Sequence, residues 1–143
     1  MKKKMNYKII GKYINELSFK IPNPGTFFLL SQNISNYKIK VDIKSSQVKQ
    51  NIIEVFTTLS LNPVKEDFEK IETKIVYSTI VELNNDKMNK EKMEKIILVE
   101  VPTKIYSNLR QIFLFLFENS GFKDIKINES VDFEKLYKLR KLQ

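Results

Sequence analysis

Cysteine, histidine, tryptophan and alanine are absent from the 143 residues, and glycine and proline are scarce at three and four. Without cysteine there is no disulfide framework and no thiolate zinc site. Without histidine there is no imidazole base, no Ser-His-Asp triad and no haem ligation by the usual residues. Carboxylate-only chemistry remains, and the densest carboxylates, Glu66, Asp67 and Glu69, have the spacing of a charge-rich turn. The composition points away from an enzyme and toward a protein that works by binding, with no cofactor and no metal. The longest apolar run, Ile112 to Phe117, falls far short of the roughly 20 residues that span a bilayer. Lys2, Lys3 and Lys4 resemble the positive start of a secretory signal, but apolar residues are sparse up to Ile10 and no small-residue cleavage site follows. The expectation is a soluble, cytoplasmic protein without membrane insertion.

Lysine is what the chain has in excess. Lysine and arginine total 25 against 17 acidic residues, a formal net charge of +8, and only Arg110 and Arg140 are arginines. Isoleucine and asparagine are abundant beside lysine, a pattern that compositional drift alone can produce. Charge by itself gives weak, salt-sensitive attraction to nucleic acid, and no glycine-rich nucleotide loop accompanies it, so nucleic acid is not the main partner. The length and the mass of 16.9 kDa fit one domain over residues 1–143.

Period-two patterning runs through the first half. Tyr13, Leu17, Phe19 and Ile21 are predicted on one face of a first strand, with Glu16, Ser18 and Lys20 on the other. Pro22-Asn23-Pro24-Gly25 stops it, and the cluster Phe27 to Leu30 is too apolar for a free loop. The second strand is the cleanest, with Tyr37, Ile39, Val41 and Ile43 alternating with Lys38, Lys40, Asp42 and Lys44. A third runs from Asn51 to Leu61, where Phe56 breaks an otherwise polar face. A fourth, from Phe68 to Leu83, holds Ile71, Thr73, Ile75, Tyr77, Thr79, Val81 and Leu83 in one register. No helical crossover is evident between these strands, so the sheet is predicted to be an antiparallel meander.

The second half reads as helix. After the turn Asn84-Asn85-Asp86, Met88, Met93, Ile96 and Ile97 sit in a charged background, consistent with a short amphipathic helix that Pro102 interrupts. A longer helix from about Thr103 carries Ile105, Leu109, Ile112, Phe113, Leu116 and Phe117 at spacings of three and four, and ends at Ser120-Gly121. Leu114 and Phe115 make it apolar on nearly every side, so it needs two neighbours: the sheet, and either a second subunit or, within a monomer, the Phe27 to Leu30 cluster with the C-terminal segment. Beyond Phe122 a short extended piece precedes an amphipathic turn around Phe133, Leu136, Tyr137 and Leu139. The fold class is α+β, a four-stranded antiparallel sheet with a short and a long C-terminal helix.

Several blocks also carry a family resemblance. They are Tyr13 to Pro24, with its aromatic start, Glu16, Ser18-Phe19 and Pro22-Asn23; Asn51 to Val55; Pro102 followed by Ile105 to Arg110; Gly121-Phe122; Ile125-Lys126-Ile127; and Val131 to Tyr137. In this order, over about residues 7–138, they resemble the SecB family of bacterial protein-export chaperones, with residues 1–6 a basic extension. The resemblance implies subunits paired through strands and helices into a dimer of dimers, a homotetramer. It implies an ATP-independent holdase that binds unfolded precursors and passes them to the SecA translocase motor.

A client site for unfolded chains should be a long groove of aromatic and flexible apolar side chains. The candidates are Phe27, Phe28, Leu30, Phe56, Tyr77, Met88, Met93 and Ile97, each of which also has a reading as core or subunit interface. Ile105, Leu109, Ile112, Phe113 and Leu116 read as assembly or core, and Arg110 resembles the family's helix arginine. By the resemblance Glu16, Glu54 and Glu72 are the motor-docking carboxylates. Three features depart from the family pattern: Lys20 stands where that motif usually has Glu, Lys38, Lys40 and Lys44 crowd the second strand, and only Leu139 to Gln143 come after the closing motif. Like charge weakens docking to a basic motor region. The alternatives are therefore a SecB-like chaperone dedicated to another partner, of the toxin-antitoxin type, or a non-catalytic scaffolding module.

Overall fold

The alternating segments pair into one antiparallel sheet of four strands: β1 (Tyr7–Lys20), β2 (Tyr37–Lys49), β3 (Ile52–Pro63) and β4 (Glu72–Leu83). The computed structural model describes residues 6–33, 37–63, 71–84, 88–122, 125 and 127–141. The lysine run at the start, the carboxylates Glu66, Asp67 and Glu69, and the segment from Phe68 to the residue before Ile71 lie outside them.

The strand order is β1-β4-β3-β2, which corrects the expected meander. The cause is a helix in the first connection, α1 (Pro24–Asn33). Pro22-Asn23-Pro24-Gly25 does stop β1, but it also starts α1: the Asn23 side chain accepts a hydrogen bond from the Thr26 backbone N–H at 2.8 Å. Asn at the cap with Pro at the first helical position is a helix-start signature. Leu30 of α1 is fully buried in the core, so the helix anchors the connection while the chain moves away from β1. β2, β3 and β4 then come in turn as hairpin neighbours, and β4 closes against β1.

Register irregularities between Ile9 and Gly11 and between Ile14 and Glu16 overturn the simple alternation expected of β1. Each extra residue switches the facing of the residues after it. Leu17 and Phe19 pair with Ile75 and Thr73 on the helix-facing side, whereas Tyr13 pairs with Ser78 on the outer side. On β3 and β4 the expected rows hold: Val55, Leu59, Ile75 and Val81 are wholly buried under the helices. Thr57 and Thr79 are wholly buried as well, and neither hydroxyl has a hydrogen-bond partner among the described residues.

Against this face packs a helical rod made of α2 (Lys90–Lys95), a π-helical stretch (Ile96–Glu100) and α3 (Val101–Glu118). Asn89 caps its start, accepting from the Lys92 N–H at 2.8 Å. Pro102 was expected to interrupt the rod, but the rod continues through it. Proline lacks an N–H and its ring crowds the carbonyl one turn back. The wider π turn, in which the Val101 N–H reaches the Ile96 carbonyl, absorbs that conflict. The rod ends as the sequence indicated: Gly121 takes φ of 95°, and Phe122 N–H bonds back to Phe117 O at 3.0 Å, a Schellman closure. The last helix, α4 (Phe133–Lys141), begins at Asp132, whose carboxylate accepts from the Lys135 N–H at 3.0 Å.

Candidate functional site: a groove along the free sheet edge

β2 has β3 on one side and, among the described residues, no strand on the other. Its helix-facing residues Ile39, Val41 and Ile43 are only half buried, although they alternate as cleanly as those of the interior strands. The space beside them is a row of cavities. One of about 590 Å³ lies between Ile43 to Ser45 and the wall formed by Ile97, Leu98 and Tyr137. Another of about 180 Å³ opens beside Val41 and Ile43 against Leu98 and Phe133. A third of about 400 Å³ separates Ile39 and Val41 from Tyr106 and Ile127, and a fourth of about 340 Å³ separates Tyr37 and Ile39 from Phe113 and Ile125. Together they run along β2 from Tyr37 to Ser45, on the order of 27 Å at the rise of an antiparallel strand.

The far wall is fixed to the rod by polar contacts. The Tyr106 hydroxyl donates to the Asn128 carbonyl at 2.8 Å, and Arg110 Nε donates to the Ile127 carbonyl at 3.4 Å. Burial pushes the Tyr106 phenol above its ordinary value of 10.0, and the nearby Arg110 guanidinium works against that rise. The Tyr137 hydroxyl donates to Glu94 at 2.9 Å, and Lys95 pairs with Glu134 at 3.6 Å. These contacts hold the wall off β2. A free strand edge with apolar pockets on alternate positions can take an extended chain by strand addition, backbone hydrogen bonds giving affinity and pockets accepting every second side chain.

The comparisons with known proteins agree with this architecture. The family described as preprotein translocase subunit SecB matches residues 1–143. The chain belongs to the SecB family. A protein named putative protein-export protein SecB, from Pelagibacter ubique, is 43% identical over 135 residues, 94% of this chain and 96% of that one. The protein-export protein SecB of Anaplasma phagocytophilum is 22% identical over 142 residues, 91% and 89% of the two chains. A Mycobacterium tuberculosis SecB-like chaperone, solved with a ChAD peptide from an antitoxin, has the same fold, with a TM-score of 0.61 and 7% identity over 88% of each chain.

The residues expected to bind clients in a SecB protein fall in four places. Ile97 lines the groove, and Met88 and Met93 pack with it against the smaller core cluster. Leu30 and Tyr77 are buried in the main core, with Phe27 packed against it. Phe28 is 61% exposed on α1. Phe56 lies on the other side of the sheet, opposite Lys44 and Ser78. Sequence reasoning did not single out Ile39, Val41, Ile43, Leu98, Ile127 and Tyr137, which face the groove. The alternation that places Ile39, Val41 and Ile43 on one face is visible in the sequence, but nothing in it marks β2 as an edge.

Of the helix residues read as assembly or core, Ile105, Leu109 and Phe113 are fully buried within this chain, while Ile112 and Leu116 are half buried. Apolar surface is left elsewhere: Ile10, Tyr13, Ile14 and Leu17 on β1 are each more than two-fifths exposed, and Phe115 is 62% exposed. Glu16, Glu54 and Glu72 share the outer face of the sheet. Glu16 pairs with Lys74 at 3.6 Å, Glu72 lies across from Lys20, and the half-buried Glu54 accepts hydrogen bonds from the Tyr13 and Ser78 hydroxyls. No described helix is long and apolar enough to cross a membrane.

Proposed function

We propose that this SecB-family chain is an ATP-independent holdase of protein export, which binds unfolded precursors along the β2 groove. The observation that carries this is a free strand edge lined on one side by half-buried Ile39, Val41 and Ile43 and faced by a row of cavities. Strand addition reads backbone more than side chains, which suits a protein that must hold many unrelated chains. No step of this function draws on a catalytic group, metal or nucleotide. The exposed β1 residues and Phe115 support assembly with further copies, toward the homotetramer implied by the family resemblance. The protein acts in the cytoplasm on this reading.

The decisive experiment titrates the purified protein against two unrelated precursors, each unfolded and folded, at low and high salt. Binding confined to the unfolded forms and largely kept at high salt is the expected outcome. No binding to either unfolded chain would remove the holdase reading and favour a scaffolding module.

Delivery to SecA is the export reading of the outer sheet face, and the charges there favour a second one. Glu16 and Glu72 each have a lysine beside or opposite them, Glu54 is engaged within the chain, and Lys38, Lys40 and Lys44 share the surface. A face so neutralised suits a basic motor region poorly. That favours a chaperone dedicated to another delivery partner, and weak, salt-insensitive binding of SecA in a direct titration is its expected signature.

A further inference from the structure

The two edges of the sheet treat their charges differently. On β1, Lys8 lies directly across from Glu82 and Lys20 from Glu72, and Glu16 pairs with Lys74, so the strand beside it supplies the opposite charge to three of its four charged residues, while Lys12 faces Thr79. On β2, Lys38 faces Asn62, Lys40 faces Ser60 and Lys44 faces Phe56. No carboxylate lies opposite any of the three, and no ion pair among the described residues includes them. Asp42 is the one acidic residue of the strand. Across the groove Arg140 adds a further positive charge. Glu94, the acidic residue on that wall, is engaged by the Tyr137 hydroxyl and by Lys90. The groove therefore has a row of cavities of mixed lining beside Ile39, Val41 and Ile43, and unmatched lysines at the alternate positions of the same strand.

Residues directly opposite each other on paired strands project to the same face. A strand added to β2 therefore sends alternate side chains into the cavities beside Ile39, Val41 and Ile43. The intervening ones lie beside Lys38, Lys40 and Lys44. A second copy of β2 would bring the same three lysines and one aspartate, a net positive charge, against this face, so the charge argues for an acidic strand instead. We propose that the groove selects extended segments in which apolar residues alternate with aspartate or glutamate. This deepens the holdase reading and rests on it, since it names the class of unfolded segment held most tightly.

The test uses four labelled peptides of equal length in fluorescence anisotropy: alternating Val/Glu, alternating Val/Ser, alternating Val/Lys, and the Val/Glu composition with its alternation scrambled. Three cross-strand charge pairs give the alternating Val/Glu peptide an advantage of about tenfold over Val/Ser at low salt. That advantage shrinks at high salt, and the scrambled and Val/Lys peptides bind more weakly than either. In the triple variant Lys38→Ser, Lys40→Ser and Lys44→Ser, the preference for Val/Glu disappears while Val/Ser binding stays as it was. Since all three lysines are exposed, this variant is expected to fold. Equal binding of Val/Glu and Val/Ser would overturn the proposal and leave the lysines as a guard against edge pairing. So would a preference that survives in the triple variant. An unfolded precursor titrated alongside separates the two readings: if it binds while the peptides show no charge preference, only the acidic selectivity falls, and if nothing binds, the holdase reading falls with it.

Discussion

β2 and β4 carry nearly the same pattern and end in different environments. β2 alternates apolar and polar residues from Tyr37 to Lys44, and β4 keeps Ile75, Tyr77, Val81 and Leu83 in one register, yet Ile75 and Val81 of β4 are wholly buried while Ile39, Val41 and Ile43 of β2 are half buried. The difference is neighbours. β4 lies between β1 and β3, and even its outer-facing Val76 and Ser78 are buried, whereas β2 has one strand neighbour among the described residues and a row of cavities. Alternation says which face of a strand is apolar. It does not say whether the chain itself finishes covering that face, and at β2 the unfinished cover is the candidate site.

That contrast is breakable by mutation. Leu59→Ala on β3 removes a fully buried side chain and is expected to destabilise by about 2–5 kcal/mol in urea unfolding, with binding of unfolded precursor unchanged per folded molecule. Val41→Ala on β2 should cost less, about 1 kcal/mol, because a half-buried side chain leaves less of a cavity. It should nevertheless weaken precursor binding several-fold. If the two variants lose binding equally, the distinction between a stabilising interior and a working edge is wrong. Asn23→Ala removes the cap of α1 and with it about 1 kcal/mol, read as a lowered midpoint in the same unfolding assay. Thr79→Val exchanges a buried, unpartnered hydroxyl for a methyl and is expected to be neutral or stabilising by up to about 1 kcal/mol.

The smallest effect concerns the groove wall. Burial raises the folded-state pKa of Tyr106 above its ordinary 10.0, so the folded form prefers the protonated phenol. The resulting contribution to stability is complete below pH 10 and is lost as pH rises through the folded value. Tyr106→Phe removes this alkaline decline along with the hydrogen bond to Asn128, and unfolding midpoints compared across that window check it.

Much of the fold was legible. The rows on β3 and β4 and the closure at Gly121 come from local chemistry, period two in one case and a left-handed glycine in the other. Three features were misread, each because two principles compete at one place. Pro22-Asn23-Pro24-Gly25 is both a strand terminator and a helix start, and only the second explains the crossover to β2. The irregularities in β1 switch the facing of Tyr13 without any mark in its alternation. Pro102 breaks an α-helical pattern but is accommodated where the helix widens to a π turn. The site was less legible than the fold. Of the aromatic and flexible apolar candidates for client binding, Ile97 lines the groove, Tyr77 is buried in the core and Phe56 lies on the opposite sheet face, while the β-branched residues of β2 also face the groove. Strand order decides that, and strand order depended on the misread crossover.

Backbone amide exchange, measured with and without a bound unfolded precursor, tests the central claim most directly. Slowed exchange concentrated between Tyr37 and Ser45 of β2, with β1 and β4 unchanged, is the predicted result. Protection at β1 or on the outer face near Phe56, with β2 exchanging as in the free protein, would contradict it.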